Sequence, residues 1–301
     1  MNLLLTGCFR YSENQLSELK SLGYDIYYVQ YETEQLPIDA SEIDATVCNG
    51  LFLHHKIEDF TRLKFIQLTS AGYDRVPMDI VKTRDISIFN ARGVYSTPMA
   101  EWALFRALEF FKHGWKFKAA QNSRQWIKDR QLRELSSAKV AVIGAGNIGQ
   151  EVAKRFQVFN AETTGFDIHT NATPGFDFMA LTDSLNERIG EFDIVVITAP
   201  LLTSTRGLVN RDILQNMASG SMLINIARGG LIDEQALIDT LIARRDVFAA
   251  LDVFECEPLP EDSPLWEMEN VAISPHNSFV SDGNNKRMFD VIYNNLKAFI
   301  E

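Results

Sequence analysis

Short apolar runs alternate with longer amphipathic segments along almost the whole chain. Short apolar runs bounded by turn residues are typical of buried strands, whereas apolar residues at intervals of three or four indicate helices. Strands that alternate with helices indicate a parallel sheet with helices on both faces. Strands are predicted at residues 3–5, 24–29, 43–47, 65–69 and 86–88, and then at 140–143, 163–167, 193–198, 221–226, 247–251 and 271–273.

Helices are predicted between these strands and at the end of the chain, at residues 13–22, 98–118, 181–189, 205–217, 234–243 and 281–299, with one more directly after residue 143. Pro98 suits the first turn of its helix, where the backbone needs no N–H. A chain of 301 residues is too long for one ordinary core, so about two domains are expected. The predicted fold class is α/β, with two doubly wound parallel-sheet domains.

The composition excludes several classes of partner. The formal net charge is −11, from 29 Lys and Arg against 40 Asp and Glu. Nucleic acids and anionic membranes bind basic surfaces, so we expect neither as a partner of this acidic chain. The three cysteines, Cys8, Cys48 and Cys256, lack metal-ligand spacing, which favours a reducing compartment and no metal site. No apolar run suits a secretory signal or a membrane span, so we expect a cytoplasmic protein.

The strongest local motif is a glycine-rich turn that follows the strand at 140–143. It reads Gly144-x-Gly146-x-x-Gly149 and leads into an amphipathic helix. In such a turn the first glycine permits a tight bend, the second lets the backbone approach a pyrophosphate, and the third lets the helix pack on its strand. The helix N-terminus supplies N–H groups and positive dipole for the phosphates. The motif predicts dinucleotide binding; the alternative is a purely structural turn.

Asp167 ends the next strand, 18 residues after Gly149. This is near the roughly 20 residues expected for a carboxylate that hydrogen-bonds the adenosine ribose. A carboxylate there accepts from the 2′-hydroxyl and repels a 2′-phosphate, and residues 168–171 include no Arg or Lys. We therefore expect NAD rather than NADP, with His169 as the reservation.

Polar residues follow consecutive strands of the second half, where ligands of open α/β sheets bind. Arg228 follows the strand at 221–226, Asp252 and Glu257 follow the strand at 247–251, and His276 follows the strand at 271–273. Taken singly, such an Arg is more often a surface ion-pair partner and such a His a loop residue. Together, on the edge of a dinucleotide fold, they favour a catalytic site.

These residue types match the needs of carbonyl reduction. The developing alkoxide requires a proton, and His is the side chain whose ordinary pKa lies nearest neutrality. A carboxylate beside the imidazole orients the ring and favours its protonated form. An Arg fork grips two oxygens of a 2-oxo acid at once and fixes the carbonyl.

With these residues in place, the chain resembles the D-isomer-specific 2-hydroxyacid dehydrogenase family. The segments that carry the resemblance span nearly the whole chain in the order of the family: 70–74 (Ser-Ala-Gly-Tyr-Asp), 99–102, 142–149, 205–210, 224–233 (Ile-Asn-Ile-Ala-Arg-Gly-Gly-Leu-Ile-Asp), 250–260 and 274–276 (Ser-Pro-His).

The resemblance implies roles for individual residues. Arg228 resembles the substrate-orienting arginine, His276 the acid/base and Glu257 its carboxylate partner. Ser70, Ala71 and Gly72 resemble the loop whose N–H groups receive the substrate carboxylate. The implied cofactor contacts, besides the three glycines and Asp167, are Asn147, Ile148, Pro200, Thr205, Ala227 and Asp252, the last meeting the nicotinamide carboxamide.

The resemblance also implies a Rossmann NAD-binding domain over 98–275 and a flavodoxin-like substrate domain over 1–97 that is completed by 276–301. It implies an NAD-dependent oxidoreductase that interconverts a 2-oxo acid and its D-2-hydroxy acid, and a homodimer. A different class remains open: some relatives serve as NAD(H)-binding, redox-sensing regulatory proteins on the same fold. Loss of NADH absorbance with 2-oxo acids distinguishes the two.

The substrate stays open between hydroxypyruvate, glyoxylate, pyruvate, bulkier aliphatic or aromatic 2-oxo acids and phosphoglycerate-type acids. Aromatic and apolar residues near the expected pocket hint at an uncharged substrate side chain, although several of them could equally belong to the core. They are Leu51, Phe52, Tyr73, Trp266 and the segment 277–279.

Overall fold

The computed structural model describes residues 1–301. They form two compact units: Met1–Tyr95 together with Ser281–Glu301, and Ser96–Val280. The strands are β1 (Asn2–Thr6), β2 (Asp25–Val29), β3 (Ala45–Cys48), β4 (Phe65–Leu68), β5 (Ser87–Phe89), β6 (Lys139–Ile143), β7 (Glu162–Asp167), β8 (Phe178–Leu181), β9 (Ile194–Ile197), β10 (Met222–Asn225), β11 (Phe248–Leu251) and β12 (Val271–Ile273). The α-helices are α1 (Glu13–Ser21), α2 (Met78–Thr83), α3 (Ser96–Phe111), α4 (Gly114–Asn122), α5 (Asn147–Val158), α6 (Leu185–Arg188), α7 (Arg211–Asn216), α8 (Glu234–Ala243) and α9 (Asn284–Ile300).

The first unit contains one parallel sheet of five strands in the order β2-β1-β3-β4-β5. This is the flavodoxin-like order, in which the chain reverses direction between β1 and β3. Helix α1 begins at a capping box, with Ser12 and Gln15 each accepting the other's backbone N–H. The last helix, α9, packs on this sheet through apolar residues that include Met288, Ile292 and Leu296. The end of the chain therefore completes the core of its beginning.

The second unit contains a parallel sheet of seven strands in the order β12-β11-β10-β9-β6-β7-β8. The order reverses between β6 and β9, which pair directly along Val140 to Ile143. All four residues of β9 and all four of β10 are buried, as expected for strands covered by helices on both faces. Two parallel-sheet α/β domains confirm the predicted fold class, with the Rossmann order in this unit.

Several elements differ from the prediction, and helix α2 was not predicted. The helix predicted at 98–118 is two helices, because His113 has a left-handed backbone with φ of 51° and starts a new helix. The helix predicted at 205–217 begins only at Arg211, since Val209 pairs with Ile232 in an isolated bridge. Strand β8 was missed; it is a short edge strand whose Phe178 is more than half exposed, so its sequence carries no buried-strand pattern. None of the helices has the length and apolar character needed to cross a membrane.

Candidate active site

The glycine-rich turn joins β6 to α5, and two of its glycines are required by their surroundings. Gly144 has φ of +100°, and a Cβ added there would lie 2.7 Å from the backbone of Ala199. A Cβ on Gly149 would lie 2.1 Å from the Gly144 carbonyl oxygen. Both distances are far below van der Waals contact, so the bend and the close helix packing both need a bare backbone.

The middle glycine has a different environment. A Cβ added to Gly146 would have no atom within 4 Å, and its φ of −72° suits any residue. Gly146 is the N-cap of α5 and supplies no side-chain hydrogen bond to the first turn of that helix. Space in front of a helix N-terminus that lacks a side-chain cap is the arrangement that accommodates phosphate. The residues of this turn therefore fit a dinucleotide.

Thr198 holds the turn in place from the end of β9. Its hydroxyl donates to the carbonyl oxygen of Gly144 at 2.6 Å, and its backbone N–H donates to that of Ile143 at 2.8 Å. Thr198 was not among the predicted site residues. The available signal was a polar residue directly after a fully apolar strand.

Asp167 ends β7 beside the same turn. Its Oδ2 accepts the N–H of Ala145 at 2.7 Å and its Oδ1 accepts the N–H of Ile168 at 2.8 Å. A carboxylate has about four acceptor positions, so two remain for hydroxyl groups. Ile168 is 74% exposed, and no Arg or Lys occurs at 168–171.

Arg228 follows β10 and is held by a residue that the sequence analysis passed over. Asn225, fully buried at the end of β10, donates from Nδ2 to the Arg228 carbonyl at 2.9 Å and accepts the Ala227 N–H at 3.1 Å. The guanidinium of Arg228 donates once, to the carbonyl of Ala227 at 2.7 Å. Four of its five N–H donors therefore carry no hydrogen bond.

Close backbone packing brings the Arg228 turn against the loop after β11. A Cβ added to Gly229 would lie 1.9 Å from the carbonyl carbon of Phe254. Only glycine fits at this contact. The segment that carries Arg228 and the loop that carries Glu257 are therefore packed together.

Glu257 and His276 form a direct pair. Nδ1 of His276 lies 2.8 Å from Oε2 of Glu257, while Oε1 of Glu257 accepts the N–H of Phe254 at 3.1 Å. The side chains are 38% and 36% exposed, and the ring of Phe279 meets the imidazole edge-to-face at 5.8 Å. Nε2 of His276 makes no hydrogen bond within the protein. This ring is thus oriented through one nitrogen and open at the other.

Asp252 organises the loop that carries His276. It is fully buried, and its carbonyl accepts the N–H of His276 at 2.8 Å. Its carboxylate accepts the hydroxyl of Ser274 and the N–H groups of Asn277 and Ser278, the latter two at 2.8 and 2.9 Å. His276 itself has φ of 50°. This left-handed conformation is unfavourable for a residue other than glycine, and the hydrogen bonds to Asp252 stabilise it.

The remaining predicted cofactor-wall residues also lie at strand ends of this unit. Pro200 and Thr205 belong to one turn after β9, in which the Thr205 hydroxyl donates to the Pro200 carbonyl and accepts the Leu202 N–H, both at 2.7 Å. Ala227 is buried next to Arg228. Asn147 and Ile148 are the first two residues of α5.

The loop Ser70–Gly72 lies in the other unit, directly after β4. Its carbonyls are all occupied: that of Ser70 by the Ala91 N–H at 2.9 Å, that of Ala71 by Asn90 Nδ2 at 2.6 Å and that of Gly72 by the Ser70 hydroxyl at 3.0 Å. The N–H groups of Ala71 and Gly72 donate to no acceptor of the protein. Consecutive free N–H groups form an anion-binding concavity.

Comparisons with known proteins identify the family. The family model described as "D-isomer specific 2-hydroxyacid dehydrogenase, NAD binding domain" matches residues 104–278. A hydroxypyruvate reductase from Thermotoga maritima is 33% identical over 224 residues, which is 73% of this chain and 72% of that protein. A hydroxypyruvate reductase from Blautia hydrogenotrophica is 28% identical and covers 94% of this chain and 91% of its own.

Solved structures give the same result at the level of the fold. A D-isomer specific 2-hydroxyacid dehydrogenase family protein from Aeromonas salmonicida matches with a TM-score of 0.86 and 26% identity, covering 99% of this chain and 95% of that one. A D-isomer specific 2-hydroxyacid dehydrogenase from Xanthobacter autotrophicus, in complex with NADPH and MES, matches with a TM-score of 0.80 and 27% identity, covering 99% and 95%.

Fold and glycine turn together define an oxidoreductase with a nicotinamide-binding Rossmann domain. The chain belongs to the D-isomer specific 2-hydroxyacid dehydrogenase family, and the resemblance predicted from the sequence is confirmed. Its reaction class is accordingly that of a 2-hydroxyacid dehydrogenase, acting on a CH–OH group of a small hydroxy acid.

Proposed function

We propose that this chain is an NAD-dependent enzyme that reduces a 2-oxo acid to the D-2-hydroxy acid, with His276 as general acid and base. The single observation that carries the proposal is the 2.8 Å pair between His276 and Glu257, on a loop packed against the segment that presents Arg228. The unit built on the seven-stranded sheet binds the cofactor and the other unit receives the substrate. The predicted domain ranges, 98–275 and 1–97 with 276–301, stay a prediction, and we take the whole unit Ser96–Val280, which includes His276, as the cofactor unit.

The cofactor would be held by the glycine turn, the N-terminus of α5 and Asp167. When bound, the reduced nicotinamide supplies the hydride. The two acceptor positions left on the Asp167 carboxylate suit a ribose 2′-hydroxyl and repel a 2′-phosphate, which supports NAD over NADP. Relatives that use NAD and relatives that bind NADPH both exist: one curated relative is named as an NAD(+) enzyme, and the matching Xanthobacter structure holds NADPH.

The proton is moved by His276. In reduction its open Nε2 gives a proton to the oxygen of the 2-oxo group, and in oxidation the same nitrogen takes the proton from the hydroxyl. Glu257 accepts the Nδ1–H of the ring and stabilises the charge of the imidazolium. Asp252, besides any contact with the carboxamide, holds the His276 loop through its three accepted hydrogen bonds.

The substrate would be oriented by Arg228 and the Ser70–Gly72 loop. The open N–H donors of Arg228 suit two oxygens of the 2-oxo acid at once. The free N–H groups of Ala71 and Gly72 suit its carboxylate. Orientation of this kind contributes to the rate by fixing the carbonyl for attack.

We further propose a cytoplasmic homodimer. All three cysteines are free thiols, which agrees with a reducing compartment. Several large apolar side chains are exposed around α3, α4 and the segment that follows them, among them Phe105 at 53%, Trp126 at 94% and Ile127 at 60%. Apolar surface of this kind marks an interface. Light scattering on the purified protein measures the state directly, and a monomer at micromolar concentration would contradict it.

The deciding experiment follows NADH absorbance with a panel of 2-oxo acids and repeats it with NADPH. We expect NADH oxidation with at least one acid, the D-hydroxy acid as product, and a lower KM for NADH than for NADPH. Tight NADH binding without oxidation by any acid would favour the redox-sensing regulatory function instead. A clear preference for NADPH would contradict the role given to Asp167.

A further inference from the structure

Arg75 bridges the ends of two neighbouring strands in the unit that contains the Ser70–Gly72 loop. It lies three residues after Gly72 in the loop that follows β4. Its Nη1 donates to Oδ1 of Asn49 at 3.1 Å, and Asn49 is the first residue after β3. A Cβ added to Gly50 would lie 3.8 Å from the Cδ of Arg75. The side chain thus crosses from one strand end to the next, over a glycine.

The charge of this guanidinium has no anionic partner within the protein. Its hydrogen bond to Asn49 is with a neutral amide, no carboxylate lies within ion-pair distance of it, and the residue is exposed. Four of the five N–H donors of Arg75 are therefore unused. A guanidinium of this kind offers a planar fork that matches the oxygens of a carboxylate or phosphate.

The first two N–H donors of the loop after β3 are already occupied. The N–H groups of Asn49 and Gly50 both donate to the Glu32 carboxylate at 2.6 Å, and the hydroxyl of Thr6 donates to it at 2.8 Å. Glu32 thereby fixes the loop after β3 and has three of its acceptor positions taken. The N–H groups of Asn49 and Gly50 are therefore unavailable to a ligand, whereas the guanidinium of Arg75, from the loop after β4, is available.

Two residues expected to form an apolar pocket are instead part of the core. Leu51 is fully buried, and Phe52 packs edge-to-face on Phe60 at 5.6 Å within the same apolar cluster. The hint that the substrate side chain is uncharged loses both of these supports. Near this loop, Arg75, the 38% exposed Tyr73 and the 62% exposed Leu53 remain accessible.

We propose that Arg75 is a specificity-determining residue that binds a second anionic group at the far end of the substrate side chain. The preferred substrate is then a 2-oxo acid with a terminal carboxylate or phosphate. The inference rests on the proposed function, because it takes the free N–H groups of Ala71 and Gly72 as the position of the carboxylate next to the carbonyl. Arg75 sits in the same loop, on the side of the neighbouring strand end.

The test compares kcat/KM for pairs of substrates that differ in the terminal group: 2-oxoglutarate against 2-oxopentanoate, oxaloacetate against 2-oxobutanoate, and phosphohydroxypyruvate against hydroxypyruvate. The wild type is expected to prefer the anionic member of at least one pair by about tenfold or more, the usual size of a charge-assisted hydrogen-bonded pair. The carboxylate and phosphate pairs separate the two possible anions.

The variants are Arg75→Met, which keeps the apolar stem, and Arg75→Lys, which keeps the charge without the fork. Arg75→Met should abolish the preference while leaving kcat/KM for the neutral members within about twofold, and Arg75→Lys should restore part of it. Lys82→Met, on the exposed side of α2, removes the same charge from the same unit and should leave the preference intact. Melting temperatures verify that all variants are folded.

The outcomes separate this inference from the function on which it rests. Wild-type turnover without preference for the anionic members, or a preference that survives in Arg75→Met, would overturn the role of Arg75 and leave the dehydrogenase intact. If Lys82→Met loses the preference to the same extent, the preference arises from the overall charge of the unit and not from a specific site at Arg75. If no 2-oxo acid oxidises NADH, the proposed function fails and the inference fails with it.

Discussion

At the carboxyl edges of both sheets, polar side chains hydrogen-bond to the adjoining loops, but the two edges carry different functional groups. At the edge of the seven-stranded sheet, Thr198, Asn225 and Asp252 follow or end buried strands and bind the adjoining turns. At the edge of the five-stranded sheet, Glu32 and Asn90 bind the loops after β3 and β4 in the same way. In both units, polar side chains hold backbone loops in fixed positions.

The loops at the two edges expose different chemical groups. The loops of the seven-stranded sheet present Arg228 and a His276–Glu257 pair, which are groups that can move or stabilise charge. The loops of the five-stranded sheet present backbone N–H groups at Ala71 and Gly72, and one guanidinium at Arg75. Under the proposed function, the chemistry resides in the cofactor unit, whereas the other unit supplies recognition.

The largest effect is expected for His276→Ala, which removes the proposed proton donor. General acid catalysis by a positioned side chain contributes about 10²- to 10⁴-fold, so kcat should fall by that factor. NADH binding, measured by fluorescence titration, should remain within about twofold because the glycine turn and Asp167 are untouched. Turnover close to that of the wild type would show that another group moves the proton.

Arg228→Lys is expected to reduce kcat/KM for the 2-oxo acid by about 10²-fold. A lysine keeps the charge but loses the fork that grips two oxygens, and a charge-assisted bidentate interaction has about this value. The matched control is Arg206→Lys, because Arg206 is 61% exposed and pairs with Glu255 only at 3.7 Å, a surface contact of small energy. Equal losses in the two variants would reject a specific role for Arg228.

Gly146→Ala tests the cofactor site without disturbing the fold. No atom lies within 4 Å of the added Cβ, so the melting temperature should stay near that of the wild type. The methyl group should occupy space needed by the pyrophosphate and raise the Kd for NADH by about tenfold or more.

Gly149→Ala, in the same turn, is expected to lower the stability of the fold, whereas Gly146→Ala is expected to lower the affinity for NADH. Its Cβ would lie 2.1 Å from the Gly144 carbonyl oxygen, and forcing atoms into a packed site costs about 1–3 kcal/mol of unfolding free energy. Chemical denaturation measures this loss. Unchanged NADH affinity in a folded Gly146→Ala variant would argue that the turn is structural only.

The smallest effect is expected for Asn225→Ala, which acts on Arg228 through the backbone. The change leaves the Ala227 N–H without its partner and the Arg228 carbonyl with only the Leu231 N–H at 3.3 Å, and it should lower the unfolding free energy by about 1–3 kcal/mol. KM for the 2-oxo acid should rise several-fold while KM for NADH stays constant. In an Arg228→Lys background the same change should add little to KM, because coupled residues are not additive. Full additivity would assign Asn225 a purely structural role.

The sequence was informative where the signal is local. Apolar runs predicted the strands of both sheets, and Gly144 and Gly149 marked the turn because no other residue fits their surroundings. The position of polar residues directly after strands led to the prediction that Arg228 and His276 belong to the site. This signal is also local, because the carboxyl ends of parallel strands meet at one edge of the sheet.

Features that depend on distant contacts escaped prediction. Asn225 and Thr198 act on neighbouring turns, so their importance is visible only once those turns are positioned. The helix break at His113 lies where this side chain pairs with Asp129 at 2.7 Å, 16 residues away. Leu51 and Phe52 look alike in a core and in a pocket from composition alone, and only their burial distinguishes the two.

The central claim is tested most directly by following the hydride itself. The wild-type protein is incubated with a 2-oxo acid that it consumes and with NADH that carries deuterium at both C4 positions of the nicotinamide. The account predicts one deuterium at C2 of the product and the D enantiomer alone, by mass spectrometry and chiral chromatography. An L product, or a hydroxy acid without deuterium at C2, would contradict it.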